Sequence, residues 1–200
     1  MFKKYRKIAV KNLSEHCGLI HPKASVDKID LNSNAMSLQV DFTKKPAITV
    51  NQSASVDDAL NLMKLSGVRT LMIIDSKNDF VGVITAMDIM GRKSMAYANE
   101  AGIPRSDVLV KNIMLPKNKL KAVDKDESAH STVGGIMHTL SALHEQHMLV
   151  VTGEGLDMEV CGLYSASDFI RELGITFDTS SISHTFSDLK RVIYEHKEVP

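Results

Sequence analysis

One segment limits the possible folds of this chain more than any other. Phe80-Val81-Gly82-Val83-Ile84-Thr85-Ala86-Met87-Asp88-Ile89-Met90 is a short apolar strand that ends in a hydroxyl residue, with an Asp three positions later at the start of a helix. The pattern returns as Val160-Cys161-Gly162-Leu163-Tyr164-Ser165-Ala166-Ser167-Asp168-Phe169-Ile170. Two copies of one strand-turn-helix unit point to an internal repeat, in which each copy buries its apolar face against its neighbour.

The residues before each copy extend the repeat. Ala47 to Val50 has the length of a short strand. Ser55 sits as an N-cap with Asp57 and Asp58 in the following turn, where the helix dipole favours acids. Val56, Ala59, Leu60, Met63 and Leu65 make a helical stripe, and Gly67 suits the position after the helix. Val68 to Asp75 is a strand, and Ser76 to Asp79 turns the chain into Phe80. The order is β-α-β-β-α.

Residues 91–110 are expected to be a connection with a helical turn over Tyr97 to Ala101. The second unit starts near Val110 to Leu115, with a strand at Leu120 to Val123 and a helix marked by Val133, Ile136, Met137, Leu140 and Leu143. Gly134 and Gly135 weaken that helix or allow another backbone to approach closely. Strands follow at Gln146 to Val151 and Glu159 to Tyr164, then a helix from Ser165 to Leu173. The second copy is the longer one and carries His144 where the first has Gly67.

The spacing predicts domains at 44–109 and 110–174. They are preceded by an arm, 1–43, with a strand candidate at Ser37 to Phe42. A linker and tail, 175–200, follow, with an amphipathic helix over Phe186 to Tyr194.

Composition narrows the function classes. Lys plus Arg and Asp plus Glu number 24 each in 200 residues, so no global field draws in nucleic acid or anionic lipid. The basic stretches lack interleaved aromatics and Trp is absent, which argues against stacking on single strands. The two cysteines, Cys17 and Cys161, form no metal or redox spacing. No apolar run has the length of a membrane span or a signal-peptide core. The expectation is a cytoplasmic protein, not an enzyme, with no metal site and no obligatory cofactor. The eight histidines fall at no zinc-ligand spacing, and the eleven methionines suit core filling.

Ser/Thr-x-x-Asp at a helix start is first of all a capping box. Arg92 after Asp88 and Arg171 after Asp168 are spaced for ion pairs within a helix, each worth a few tenths of a kcal/mol. The same geometry also suits a ligand. A hydroxyl beside free helix N–H groups favours a phosphate, and a carboxylate one turn in suits the paired hydroxyls of a ribose. Together they imply a nucleotide. An apolar slot for the base would come from Ile48 and Thr70-Leu71-Met72 in the first copy, and from Val123 and His147-Met148 in the second.

The two ordered copies resemble a tandem pair of cystathionine-β-synthase (CBS) domains, often called a Bateman module, over roughly residues 44–174. The most telling stretches are Gly67 to Asp75 and Gly82 to Asp88. The resemblance implies an α/β (α+β) fold in which two β-α-β-β-α units pack with pseudo-twofold symmetry. It implies clefts for AMP, ADP, ATP or S-adenosylmethionine, with Thr85 and Ser165 on phosphate and Asp88 and Asp168 on ribose. It also implies a homodimer, built through the helices, that regulates another protein. In this chain the Thr85 copy is the more regular, and the acidic loop Thr152 to Glu159 of the second copy disfavours a nearby polyphosphate, so the first copy is expected to be the better site. The alternative is a structural interaction or dimerisation module whose clefts are filled by side chains.

Overall fold

Two β-α-β-β-α runs account for most of the regular structure. The computed structural model describes residues 9–20 and 29–174, so the helix expected at Phe186 to Tyr194 lies outside the described residues. In chain order the elements are β1 (Val40–Asp41), β2 (Thr49–Asn51), α1 (Val56–Ser66), β3 (Thr70–Ile74), β4 (Phe80–Thr85), α2 (Ala86–Met90), α3 (Arg92–Ala101) and α4 (Val110–Ile113). Then come β5 (Leu115–Pro116), β6 (Ala122–Asp124), α5 (Lys125–His130), α6 (Val133–Leu143), β7 (His147–Thr152), β8 (Glu159–Ser165) and α7 (Ala166–Glu172).

The two longer helices of the repeat begin and end by the same chemistry. Ser55 accepts a bond from the Asp58 N–H at the start of α1, and Thr132 accepts one from Gly135 at the start of α6. Gly67 closes α1 in the left-handed conformation at φ 66°, and His144 closes α6 at φ 57°. A residue with a Cβ costs about 1–2 kcal/mol in that region, so the second copy forms the same cap at an expense that the first avoids. Val56, Ala59 and Met63 are the buried positions of α1. Leu65, expected in that stripe, is 87% exposed, because it lies two residues past Met63 and off the buried face.

Each half forms a four-stranded sheet, in the orders β2-β3-β4-β5 and β1-β8-β7-β6. In both sheets a parallel pair (β2 with β3, β6 with β7) adjoins an antiparallel hairpin (β3 with β4, β7 with β8). The outermost short strands are exchanged. β1 precedes the first unit but pairs with β8 of the second, whereas β5 precedes the second unit and pairs with β4 of the first. The glycines of the repeated motif make room for this exchange. A Cβ on Gly82 would lie 2.5 Å from the Leu115 carbonyl oxygen, and one on Gly162 would lie 2.5 Å from Gln39 Nε2 and 3.0 Å from the Val40 carbonyl oxygen.

The exchange continues upstream. Ala35 donates to the Ser131 carbonyl and Val133 to the Ser33 carbonyl, while Val56 donates to Val108 and Val110 to Ala54. Residues 31–38 therefore stand against α6 as residues 105–113 stand against α1. Gly134 donates to the Leu31 carbonyl at 2.8 Å, and a Cβ at Gly134 would lie 3.0 Å from that oxygen. This is the close backbone approach that Gly134-Gly135 anticipates.

Three apolar clusters hold the layers. One packs α1, α2 and α4 onto the first sheet around Val56, Leu71, Ile84 and Ile113. A second packs α6 and α7 onto the other sheet around Met137, Leu140, Tyr164 and Phe169. Met72, Val83, Leu149 and Leu163 form the third, where the two sheets meet face to face. Side chains alternate along β3, so Leu71 and Ile73 face the helices while Met72 faces the other sheet. The fold is thus the α/β arrangement of two packed units that the repeat implied.

Several local expectations need correction. The connection over 91–110 is mostly a ten-residue helix, α3, that runs well beyond Tyr97 to Ala101. The second unit, expected to start near Val110 to Leu115, opens there with a helix at Val110–Ile113 and the two-residue strand Leu115–Pro116, and the strand expected at Leu120 to Val123 is Ala122–Asp124. Ser37 to Phe42 divides into a 3₁₀ turn at Ala35–Leu38 and the two residues of β1. Part of the greater length of the second copy is the short helix α5, inserted between β6 and α6. Its Ser128 bonds to the hydroxyl of buried Tyr164 at 2.7 Å, satisfying a polar tip that Ile84 lacks at the matching place in the first half. Among the described residues no helix is long and apolar enough to cross a membrane.

Candidate functional site

The two motif copies end their strands in different states. In the first, Thr85 and Asp88 close on each other. The Asp88 N–H donates to Thr85 Oγ1 at 3.1 Å, while Thr85 N–H and Oγ1 donate to Asp88 Oδ2 at 3.0 and 2.8 Å. Lys93 Nζ lies 3.0 Å from Asp88 Oδ1. Both carboxylate oxygens are engaged and the hydroxyl is consumed by the cap. The cation is Lys93, not the Arg92 that helical spacing suggests, because α2 ends at Met90 and α3 sets off in a new direction after Gly91.

In the second copy no side chain caps the helix start. Ser165 Oγ lies 2.9 Å from Ser167 Oγ, and Asp168 Oδ1 pairs with Arg171 at 2.9 Å, three residues on. Arg171 also donates from Nε to Glu172 at 3.1 Å. No bond to Ser165 is made by the Asp168 carboxylate, so the box that closes the first copy is open in the second.

A cleft of about 360 Å³ opens beside this second copy, within the size range of small-molecule sites. Ser165, Ser167, Asp168 and Arg171 form one wall. Ile48, Val68, Thr70 and Met72 from the first half form the other, with Val40, Phe42, Pro46 and Ala47 closing an end. The sheet-to-sheet packing therefore sets the apolar slot of one repeat against the hydroxyl and carboxylate of the other.

Of the residues singled out in the sequence, Ile48, Thr70, Met72, Ser165 and Asp168 meet in this cleft. Leu71 and Met148 are 0% and 3% exposed and point into the helix-facing cores, as side-chain alternation along a strand requires. Val123 packs against the second core. Thr85 and Asp88 are held in the cap. His147 takes a separate place, with Nε2 bonded to Thr70 Oγ1 at 3.2 Å. Thr70 is the register partner of Thr85, and His147 of Ser165, so this bond joins the two motif copies across the sheet interface. Burial holds the His147 imidazole below its ordinary range, against the opposing pull of Asp88 and then Asp168.

Three cations of the cleft were not singled out as ligand contacts in the sequence: Lys45, Arg69 and Arg171. Arg171 carried a signal, its spacing from Asp168. Lys45 and Arg69 carried none, since they lie on separate segments that only the packing brings together.

Comparison with known proteins bears on the family and the fold. Residues 40–94 match the family model described as CBS domain. The chain is a CBS-domain protein. Inosine-5'-monophosphate dehydrogenase of Helicobacter pylori is 31% identical over 144 residues, which cover 67% of this chain and 30% of the dehydrogenase. An uncharacterized protein of Methanopyrus kandleri is 36% identical over 50 residues, 25% of this chain and 26% of that protein. The CBS-domain chain thus spans less than a third of these curated relatives. An uncharacterized conserved protein from Pyrococcus horikoshii has the same fold, with a TM-score of 0.52 at 20% identity, covering 76% of this chain and all of that one.

Proposed function

We propose that this CBS-domain protein is a regulatory module that binds an adenine nucleotide in the cleft between its two halves and transmits occupancy to a partner protein. The reading rests chiefly on one observation: the uncapped Ser165–Asp168 copy faces Ile48, Thr70 and Met72 across a cleft of nucleotide size. The base lies in the apolar slot, Asp168 faces the ribose and Ser165 faces the phosphate end. Asp168 keeps acceptor capacity for this, since an ionised carboxylate has about four lone-pair sites. The Thr85 copy serves mainly as a helix cap. The dehydrogenase activity of the Helicobacter relative is not carried over, because the matched segment is under a third of that enzyme.

Occupancy reaches a partner only through differential affinity for two conformations. The Thr70–His147 bond, next to Ser165, is the contact best placed to sense a ligand. The carrier of the signal is a homodimer formed through the helices, where Met87 and Met90 of α2 are 54% and 66% exposed.

A thermal-shift panel of AMP, ADP, ATP and S-adenosylmethionine tests the reading. At a ligand concentration of about 100 times Kd the melting free energy rises by roughly 2.7 kcal/mol. Ser165→Ala and Asp168→Ala should remove most of the shift, whereas Thr85→Ala should lower the starting Tm and keep it. No shift with any of these compounds would overturn the proposal.

A further inference from the structure

The cleft contains more positive charge than its own carboxylate neutralises. Arg171 is spoken for, held by Asp168 on one side and Glu172 on the other. Lys45 and Arg69 line the same cleft from the connection between β1 and β2 and from the turn between α1 and β3. Among the described residues no carboxylate lies within ion-pair distance of either. Lys45 follows the β1 edge of the Ser165 sheet and Arg69 precedes β3 of the other sheet, so the two cations reach one cleft from its two sides. Neither is required by the fold, since both side chains are exposed.

Charge of this kind discriminates among adenosine derivatives. A phosphate chain offers oxygens that an Arg fork can hold in pairs and that a Lys can meet as a point charge. S-adenosylmethionine brings a sulfonium and an ammonium toward Lys45 and Arg69 with a single carboxylate in place of a phosphate chain, and among the described residues the one lining carboxylate is already paired with Arg171. We propose that Lys45 and Arg69 make the cleft selective for nucleoside polyphosphates, with ADP and ATP preferred over AMP and adenosine, and S-adenosylmethionine disfavoured. The inference deepens the adenine-nucleotide reading above and rests on it.

Isothermal titration calorimetry of the full chain with adenosine, AMP, ADP, ATP, S-adenosylmethionine and inorganic tripolyphosphate tests it. The expected result is tighter binding with each added phosphate, with S-adenosylmethionine no better than adenosine. A Lys45→Gln, Arg69→Gln double variant, checked for its fold by circular dichroism, should lose roughly tenfold in ATP affinity and little in adenosine affinity. The steps should flatten as salt rises, as expected for exposed charges. Equal affinity for adenosine or S-adenosylmethionine and ATP, or a variant that weakens every ligand alike, would overturn the selectivity while leaving the nucleotide reading intact. Tripolyphosphate binding that the double variant weakens, with no adenine-dependent gain, would support the charge assignment and overturn the adenine reading. Absence of binding by all six compounds would overturn both.

Discussion

The Thr85–Asp88 and Ser165–Asp168 copies share one motif and have diverged in its use. In the first, every oxygen of the motif is engaged in the cap or by Lys93. In the second, the hydroxyl caps nothing and the carboxylate is turned toward Arg171 at the edge of a cleft. The groups that can begin a short helix are the same groups that can hold a ligand. A capping box worth about 1 kcal/mol competes directly with binding, so regularity of the motif favours the structural role.

Three experiments bear on this difference, in order of expected effect. The largest concerns the glycines that admit the exchanged strands. Gly82→Ala forces a methyl group onto a backbone oxygen of β5 and should cost about 2–3 kcal/mol. Gly162→Ala meets the end of the Gln39 side chain first, which can swing aside, and should cost clearly less. Chemical denaturation of the two variants measures the gap, and equal costs would show that Gln39 and the β1 backbone at Val40 yield no more readily than the β5 backbone.

The next effect concerns the caps. Thr85→Ala should destabilise by about 1 kcal/mol, while Ser165→Ala, which loses only its bond to Ser167, should cost about half of that or less. Together with the binding assays, these variants should separate stability from affinity in opposite directions. Equal destabilisation by both would mean that Ser165 caps α7 in solution.

The smallest effect is the pH response of His147, the residue between the copies. Burial depresses its folded pKa below the ordinary 6.5, so the unfolded chain takes up the proton first as pH falls. Stability from this group is complete above about pH 6.5 and is lost as pH falls through the folded value. His147→Gln should flatten the decline in Tm between neutral and mildly acidic pH. An unchanged slope would assign that decline to the carboxylates.

Much of the fold was legible because it rests on local signals. Ser55 and Gly67 bound α1, His144 stands where Gly67 closes the first copy, and the apolar runs of β3, β4, β7 and β8 alternate between helix-facing and sheet-facing sides, whereas the Thr132 cap of α6 was found only in the structure. β1 lies inside the strand candidate at Ser37 to Phe42, but its exchange with β5 was not legible, since two-residue strands carry no signal of which sheet they join. Only the second half of α3 was legible, as the turn over Tyr97 to Ala101, because its buried residues are Ser94 and Ala98, too small to form an apolar stripe. Five of the eleven singled-out residues line the cleft, and those that do not were separated by side-chain alternation and by the cap. Lys45 and Arg69 could not be paired with Asp168 from sequence, because their proximity depends on how one sheet packs on the other.

The exchange of β1 and β5 also has a kinetic consequence. Neither sheet is complete within its own stretch of chain. β4 waits for residues that follow α4, and β1 waits for β8, the last strand among the described residues, with Gln39 meeting Tyr164 across a separation of 125 residues. Long loops must close before those contacts form, which slows folding. During synthesis the nascent first half would expose an unpaired β4 edge, a surface open to wrong partners. Folding of the two halves is therefore coupled, and the order in which they emerge is itself part of how this chain reaches its native state.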